Sequence, residues 1–320
     1  MRLDEHPEFE QAILAAAEHF RPRGLRAALI EKDYYVTEAL RAVAVVGGSS
    51  LIFKGGTSLS KGWNLVQRFS EDIDLFVDPL AFSPTLGARG IDRELKRLRD
   101  SVAAVPPLRF VADESKTIGG FGRADRFSFV QRFGGPGEVA ARVLLEIGTA
   151  SGREPTASVQ IRSYLAEFLA ATGRSLDASN ESSFPMRLLH FRRTFVEKLF
   201  AIHAKVELLE RDRRPLGSYA RHYYDLHQLA GQPEVVAMLR SPEYGAIRTD
   251  YDRISAEHFA RDYRPPPGLS FAESAALFPS PELSASLGRE YEAQCRVLCY
   301  GTFPRWDDVR ARFDAIRQWL

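Results

Sequence analysis

The chain has 320 residues, 45% of them hydrophobic and 27% charged, which is ordinary globular composition and length enough for about two domains. With 43 Lys+Arg against 42 Asp+Glu the net charge is +1, which excludes a tail-driven polyanion binder and leaves only a local basic patch for any nucleic acid. The cysteines, Cys295 and Cys299, are too few for a disulfide framework or a structural zinc site, so a reducing, cytoplasmic setting is expected.

The first residues, Met1 to Pro7, have no apolar core of the signal-peptide kind, and no later stretch reaches the length of a membrane span. Residues 8–20 and 24–46 are predicted helices, the second with Leu25, Leu29, Val36, Leu40 and Val43 at helical spacing. Residues 51–54 predict a buried strand ending in a Gly-Gly turn, with a helix starting near Thr57-Ser58. A second strand covers 73–77 before Pro79 stops it, and a charged helix follows at 91–103. Three β-like runs, 108–112, 126–133 and 139–147, are parted by Gly-rich turns at 119–122 and 134–137. From 158 onward the pattern is helical, at 160–171, 191–210, 218–230, 285–300 and 306–319, with a Pro-rich loop at 264–268. The expected fold class is therefore α+β, an α/β domain over 1–155 followed by a mainly helical domain over 156–320.

Chemistry concentrates between residues 53 and 75. Asp72 and Asp74 stand two apart on a strand, so both carboxylates leave one face while Ile73 points into the core. Carboxylates held side by side repel unless a cation lies between them, and hard oxygen ligands suit Mg²⁺ or its substitute Mn²⁺. Upstream, Gly55, Gly56, Thr57 and Ser58 join a strand to a helix, a turn whose open N–H groups suit phosphate. Either feature alone is commonly just a turn or a strand end. Together they describe a metal–triphosphate site with a nucleoside triphosphate (NTP) as substrate. No Gly-Lys-Ser/Thr follows the glycines and no Gly-x-Gly-x-x-Gly follows a strand, so Walker A and dinucleotide folds are excluded. Glu146, the one acidic residue in the apolar run Val143-Leu144-Leu145-Glu146-Ile147, is the candidate third carboxylate; a salt-bridged rim position is the alternative. Lys32 fills a core-facing slot on the second helix, with Asp33 beside it, so it either snorkels to the surface or reaches a cleft.

The stretch Phe53-Lys54-Gly55-Gly56-Thr57-Ser58-Leu59-Ser60-Lys61-Gly62 followed by Arg68-Phe69-Ser70-Glu71-Asp72-Ile73-Asp74-Leu75 resembles the nucleotidyltransferase signature of the DNA polymerase β superfamily. More narrowly it resembles the AbiEii/AbiGii toxin family, which includes the MenT toxins, with the family's Gly, Ser and two Asp positions on Gly56, Ser58, Asp72 and Asp74. The resemblance implies a polymerase β-type domain with Asp72, Asp74 and Glu146 as metal ligands, although many superfamily members carry Asp where Glu146 stands. Glu31-Lys32-Asp33-Tyr34-Tyr35-Val36 is similar to the family's N-terminal block, which favours nucleotide contacts for Lys32 and Asp33. Glu197-Lys198-Leu199-Phe200-Ala201 and Asp225-Leu226-His227-Gln228-Leu229 resemble its later motifs, which puts the required lysine and aspartate on Lys198 and Asp225. Lys198 is then expected to neutralise the triphosphate, and Asp225 to orient that lysine or contact the nucleotide.

The implied activity is metal-dependent transfer of a nucleoside monophosphate from an NTP to the 3′ end of tRNA, expelling pyrophosphate and blocking aminoacylation. A cognate antitoxin is the implied partner, and a cytoplasmic monomer without a membrane partner is expected. The alternatives are a protein or small-molecule acceptor, or a nucleotide-binding scaffold without transfer. Between Arg187 and Arg221 nine basic residues face four acidic ones, with His and Tyr interleaved, which reads as an RNA track or as a solvated helix face. Beyond residue 240 no motif is recognised, and Cys295 and Cys299, four apart on an expected helix, read as core.

Overall fold

A computed structural model of the chain describes every residue except Glu71, 135–138, 259–265 and 267. Most of the predicted turn at 134–137 and of the predicted loop at 264–268 therefore lies outside the described residues. The chain forms two compact units, one made of Met1–Asn64 with Phe69–Leu189 and the other of Leu65–Arg68 with His190–Leu320.

The first unit runs α1 (Phe9–His19), α2 (Ala27–Gly47), β1 (Leu51–Lys54), α3 (Gly55–Lys61), β2 (Asp72–Val77), α4 (Ala88–Ala103), β3 (Arg109–Ile118), β4 (Gly122–Ser128), β5 (Arg142–Gly148), β6 (Thr156–Ile161), α5 (Tyr164–Ala171) and β7 (Phe184–Leu189). Its seven strands form one mixed sheet in the order β3-β4-β5-β2-β1-β7-β6. β2 pairs with β5, and β1 with β7, in parallel, while the remaining neighbours are antiparallel. On β5, Val143, Leu145 and Ile147 are buried while Leu144 and Glu146 are half-buried, so one face carries the core and the other is partly open. Ile73 and Leu75 of β2 pair with Leu145 and Ile147 and extend the core face. Helix α2 packs on α4 and against β5.

β3 and β4 form one hairpin around Gly119 and Gly120, which take φ of +53° and +75°. The sequence pattern finds only the ends of this hairpin, because β3 is an edge strand with both faces partly exposed and lacks apolar alternation. The predicted helix at 160–171 begins instead at Tyr164, where the Ser163 hydroxyl caps the amide of Ala166. The residues before it form β6, and Phe184–Leu189 forms β7 beside β1. The first unit runs on to Leu189, because β6 and β7 complete its sheet.

The second unit contains α6 (Phe191–Asp212), α7 (Arg221–Ala230), α8 (Pro233–Leu239), α9 (Pro242–His258), α10 (Pro281–Leu298) and α11 (Trp306–Ile316). Its core takes Phe195, Leu199, Ile202 and Val206 from α6 and Tyr223, Leu226 and Leu229 from α7. The Tyr223 ring meets Trp306 edge-on at 4.9 Å, and a Cβ on Gly288 would lie 2.9 Å from the Trp306 ring, so α10 and α11 approach through a glycine. Cys295 is buried, as expected, and Cys299 is half-exposed. No described helix is long and apolar enough to cross a membrane.

Candidate active site

In the first unit, strand register lines up one row of side chains across the sheet: Lys54 of β1, Asp74 of β2, Glu146 of β5, Ala124 of β4 and Lys116 of β3. Paired residues share a face, and Asp72, two positions from Asp74, shares it too. Three carboxylates therefore lie on the partly open side of the sheet, flanked by two lysines. Burial, then the charges of Asp74 and Asp72, push the Glu146 carboxyl above its ordinary range, and Lys54 and Lys116 oppose that push.

Between β1 and β2 the chain turns into α3. Gly55 has φ of +76°, and a Cβ there would sit 1.9 Å from Asp74 Oδ2, so the Asp74 carboxylate lies against bare glycine backbone. No other residue type leaves room for it. The Thr57 hydroxyl donates to the Asp72 carbonyl, and the buried Ser58 hydroxyl donates to the Gly55 carbonyl at 2.9 Å. Both hydroxyls thus fasten the turn. The amides of Gly55, Gly56 and Thr57 stand at the start of α3, ahead of the first intrahelical carbonyl acceptors, as at any helix N-terminus.

Asp33 accepts from Lys61 Nζ at 2.6 Å and from the Tyr164 amide at 2.8 Å, so it joins α2 to the end of α3 and the start of α5. Lys32 does not snorkel. It is only 1% exposed, and its ammonium lies 4.9 Å from the centre of the Phe69 ring. The neighbouring Glu31 carboxylate accepts from the amides of Arg132 and Phe133, which fixes the chain following β4.

In the second unit, Lys198 of α6 lies 2.8 Å from Asp225 Oδ2 of α7. Arg68, from the Leu65–Arg68 segment, grips both oxygens of the same carboxylate at 2.6 and 2.7 Å. The Lys198 ammonium also donates to His222 Nδ1 at 3.1 Å, which leaves the imidazole proton on Nε2. Burial would raise the Asp225 pKa, but Arg68 and Lys198 hold it well below the carboxylate range. Burial lowers Lys198, more than Asp225 restores, with Arg68 and Arg221 adding to the fall. Burial and the Lys198 charge hold His222 down at about 3, so it is neutral in the physiological range.

The basic run between Arg187 and Arg221 is a weaker track than its charge count implies. Arg187 pairs with Glu154, Arg192 with Glu243, Arg193 with Glu197 and Asp250, and Lys198 with Asp225. Glu154, Asp225, Glu243 and Asp250 all lie outside the counted run, and Arg193 is buried.

Sequence reasoning assigned no role to Lys54, Lys116 or Arg68, and met His222 only as one of the rings interleaved in the basic run. Lys54 and Arg68 stand inside the quoted motif, whereas Lys116 becomes visible only through strand register. Among the described residues, no three His, Cys, Asp or Glu side chains converge closely enough to form a metal-ligating group. The donor chemistry nevertheless fits a hard divalent cation: Asp72, Asp74 and Glu146 offer oxygens on one face, and their mutual repulsion is what a cation would relieve.

A protein-family model described as nucleotidyl transferase AbiEii toxin, type IV toxin–antitoxin system, matches residues 38–316. No curated protein matches the chain. Among solved structures, MenT4, a nucleotidyltransferase toxin from Mycobacterium tuberculosis H37Rv, is similar in fold, with a TM-score of 0.54 at 17% identity. That similarity covers 97% of this chain and 90% of MenT4.

Proposed function

The chain belongs to the AbiEii family of nucleotidyltransferase toxins, and on that premise we propose that it transfers a nucleoside monophosphate from an NTP to the 3′ end of tRNA, so that aminoacylation and translation stop. The observation that carries the chemistry is the shared face of Asp72, Asp74 and Glu146 beside a glycine turn that only glycine can make. The amides of Gly55, Gly56 and Thr57 hold the terminal phosphates, and the Thr57 and Ser58 hydroxyls keep that turn in shape. Asp72, Asp74 and Glu146 would hold Mg²⁺ or Mn²⁺, which when bound neutralises phosphate charge and acidifies the acceptor hydroxyl. Glu146, on the same face as the two aspartates, accepts the proton of the acceptor 3′-hydroxyl. The freed oxygen bonds to the α-phosphorus as the bond to pyrophosphate breaks. Lys198, held by Asp225 and Arg68, meets the charge that develops on the phosphates. Asp33 and Lys32 act indirectly, by fixing α2 to α3 and to Phe69.

The reading includes a cognate antitoxin as partner and a cytoplasmic monomer as the active form. Incubation with each α-labelled NTP, Mg²⁺ and total tRNA tests it, with Asp74→Ala as the control. Label at the RNA 3′ end, lost in Asp74→Ala, is expected. Label on protein alone would replace tRNA with a protein acceptor, and no label anywhere would sink the transfer reaction itself.

A further inference from the structure

The stretch between the glycine turn and the Asp-x-Asp strand does not stay with the sheet. Leu65–Arg68 folds as part of the helical unit. The Gln67 amide donates to the Tyr224 hydroxyl at 3.0 Å, the Tyr300 amide donates to the Gln67 carbonyl at 3.2 Å, and Arg68 makes an antiparallel bridge with Cys299. Arg68 is 2% exposed, a burial that an arginine tolerates only with a strong partner. That partner is the fully buried Asp225, gripped through both oxygens, which leaves Lys198 to share the one oxygen, Oδ2.

One carboxylate is thus divided between two cations. A lysine paired alone with Asp225 would be largely neutralised by it, whereas an Arg68-occupied Asp225 fixes the lysine's position and leaves much of its positive charge uncompensated. We infer that Arg68 is a positioning residue that sequesters the Asp225 charge, so that Lys198 presents a net cation to the polyphosphate of the substrate. Arg68 touches neither nucleotide nor metal in this role. Around Lys198 burial and the charges of Arg68 and Arg221 lower its pKa, Asp225 raises it, and His222 is neutral, so the hydrogen-bonded contact to Asp225 Oδ2 is what holds the ammonium in place.

The inference rests on the reading that Lys198 serves the nucleotide's phosphates, and the test separates the two. Binding of a non-hydrolysable NTP and of inorganic tripolyphosphate is measured by calorimetry for wild type, Lys198→Met, Arg68→Met and the double variant Arg68→Met/Asp225→Asn, with circular dichroism to verify folding. Arg68→Met leaves Lys198 paired one to one with Asp225 and is expected to weaken both ligands about tenfold, the loss of roughly one well-placed charge contact. The double variant again leaves Lys198 uncompensated and is expected to regain most of that loss. A merely structural arginine would give a double variant no better than the single one, and that result would overturn the inference, as would wild-type binding by folded Arg68→Met. If Lys198→Met binds both ligands like wild type, the underlying assignment of Lys198 fails instead. Should Arg68→Met not fold, Arg68→Lys supplies the arm: it keeps the charge but loses the fork, and binding within about threefold of wild type is expected, with a tenfold loss counting against charge sequestration.

Discussion

Replacing Gly55 with alanine tests the glycine turn at the point where the backbone meets the Asp74 carboxylate. Two costs separate cleanly. The first is conformational: a side chain at φ of +76° pays about 1–2 kcal/mol for left-handed backbone. The second is steric and specific. The new methyl would lie 1.9 Å from Asp74 Oδ2 and 2.6 Å from its Cγ, whereas carbon contacts settle near about 3.5 Å, so the carboxylate must withdraw by roughly 1.5 Å. A displacement on the order of 1 Å at a reacting centre can cost about a hundredfold in rate, so nucleotide transfer should fall at least that far. Gly120 supplies the control, because its φ is +75° and nothing lies within 4 Å of a Cβ built there. Gly120→Ala should show a similar conformational loss in a urea titration while keeping its transfer rate. Rates with α-labelled NTP and unfolding midpoints would be measured for both variants. Wild-type transfer by Gly55→Ala, or an activity loss no larger than that of Gly120→Ala, would refute the claim that the turn is shaped around Asp74.

Two further outcomes follow from the charges. Because burial, and then the charges of Asp74 and Asp72, raise the Glu146 pKa, Asp74→Asn removes one repulsive charge and should stabilise the metal-free protein by about 1 kcal/mol in chemical denaturation while abolishing transfer, and Mg²⁺ should raise the melting temperature of wild type more than that of the variant. His222, held down at about 3 from an ordinary 6.5, refuses a proton that the unfolded chain accepts; its contribution to stability is therefore complete above pH 6.5 and is lost as the pH falls toward about 3. That loss amounts to as much as about 1.4 kcal/mol per pH unit, and the stability profile of His222→Gln should be flatter across the same window; an unchanged profile would mean that His222 ionises freely.

What could be read from the sequence tracks how tightly geometry restricts residue type. Gly55 is legible because no Cβ fits against Asp74, Asp72 and Asp74 because strand alternation fixes their common face, and Glu146 because an acid in an apolar strand is conspicuous. Strand β6 and most of β3 escaped because small or polar edge segments lack the alternation that marks a half-buried strand, and the inner strand β7 because Pro185 and Arg187 interrupt its short apolar run. Lys198 and Asp225 were found through family resemblance alone, since nothing local distinguishes a buried Lys–Asp pair from an exposed one. Arg68 stood in plain view within the motif, yet its partner lies 157 residues away. The same separation undoes the charge count over Arg187–Arg221, where acids at 154, 225, 243 and 250 claim four of the nine cations. A count along the chain weighs neighbours in sequence, but an ion pair is made by neighbours in space. Buried arginines make the discrepancy largest, because a guanidinium leaves water only for a carboxylate that must be nearby in the fold and need not be nearby in the chain. Any RNA path on this protein is therefore to be sought among the cations that remain exposed, such as Arg211 and Arg214, whose pairing with Asp212 is open to solvent and weak enough to be exchanged for phosphate.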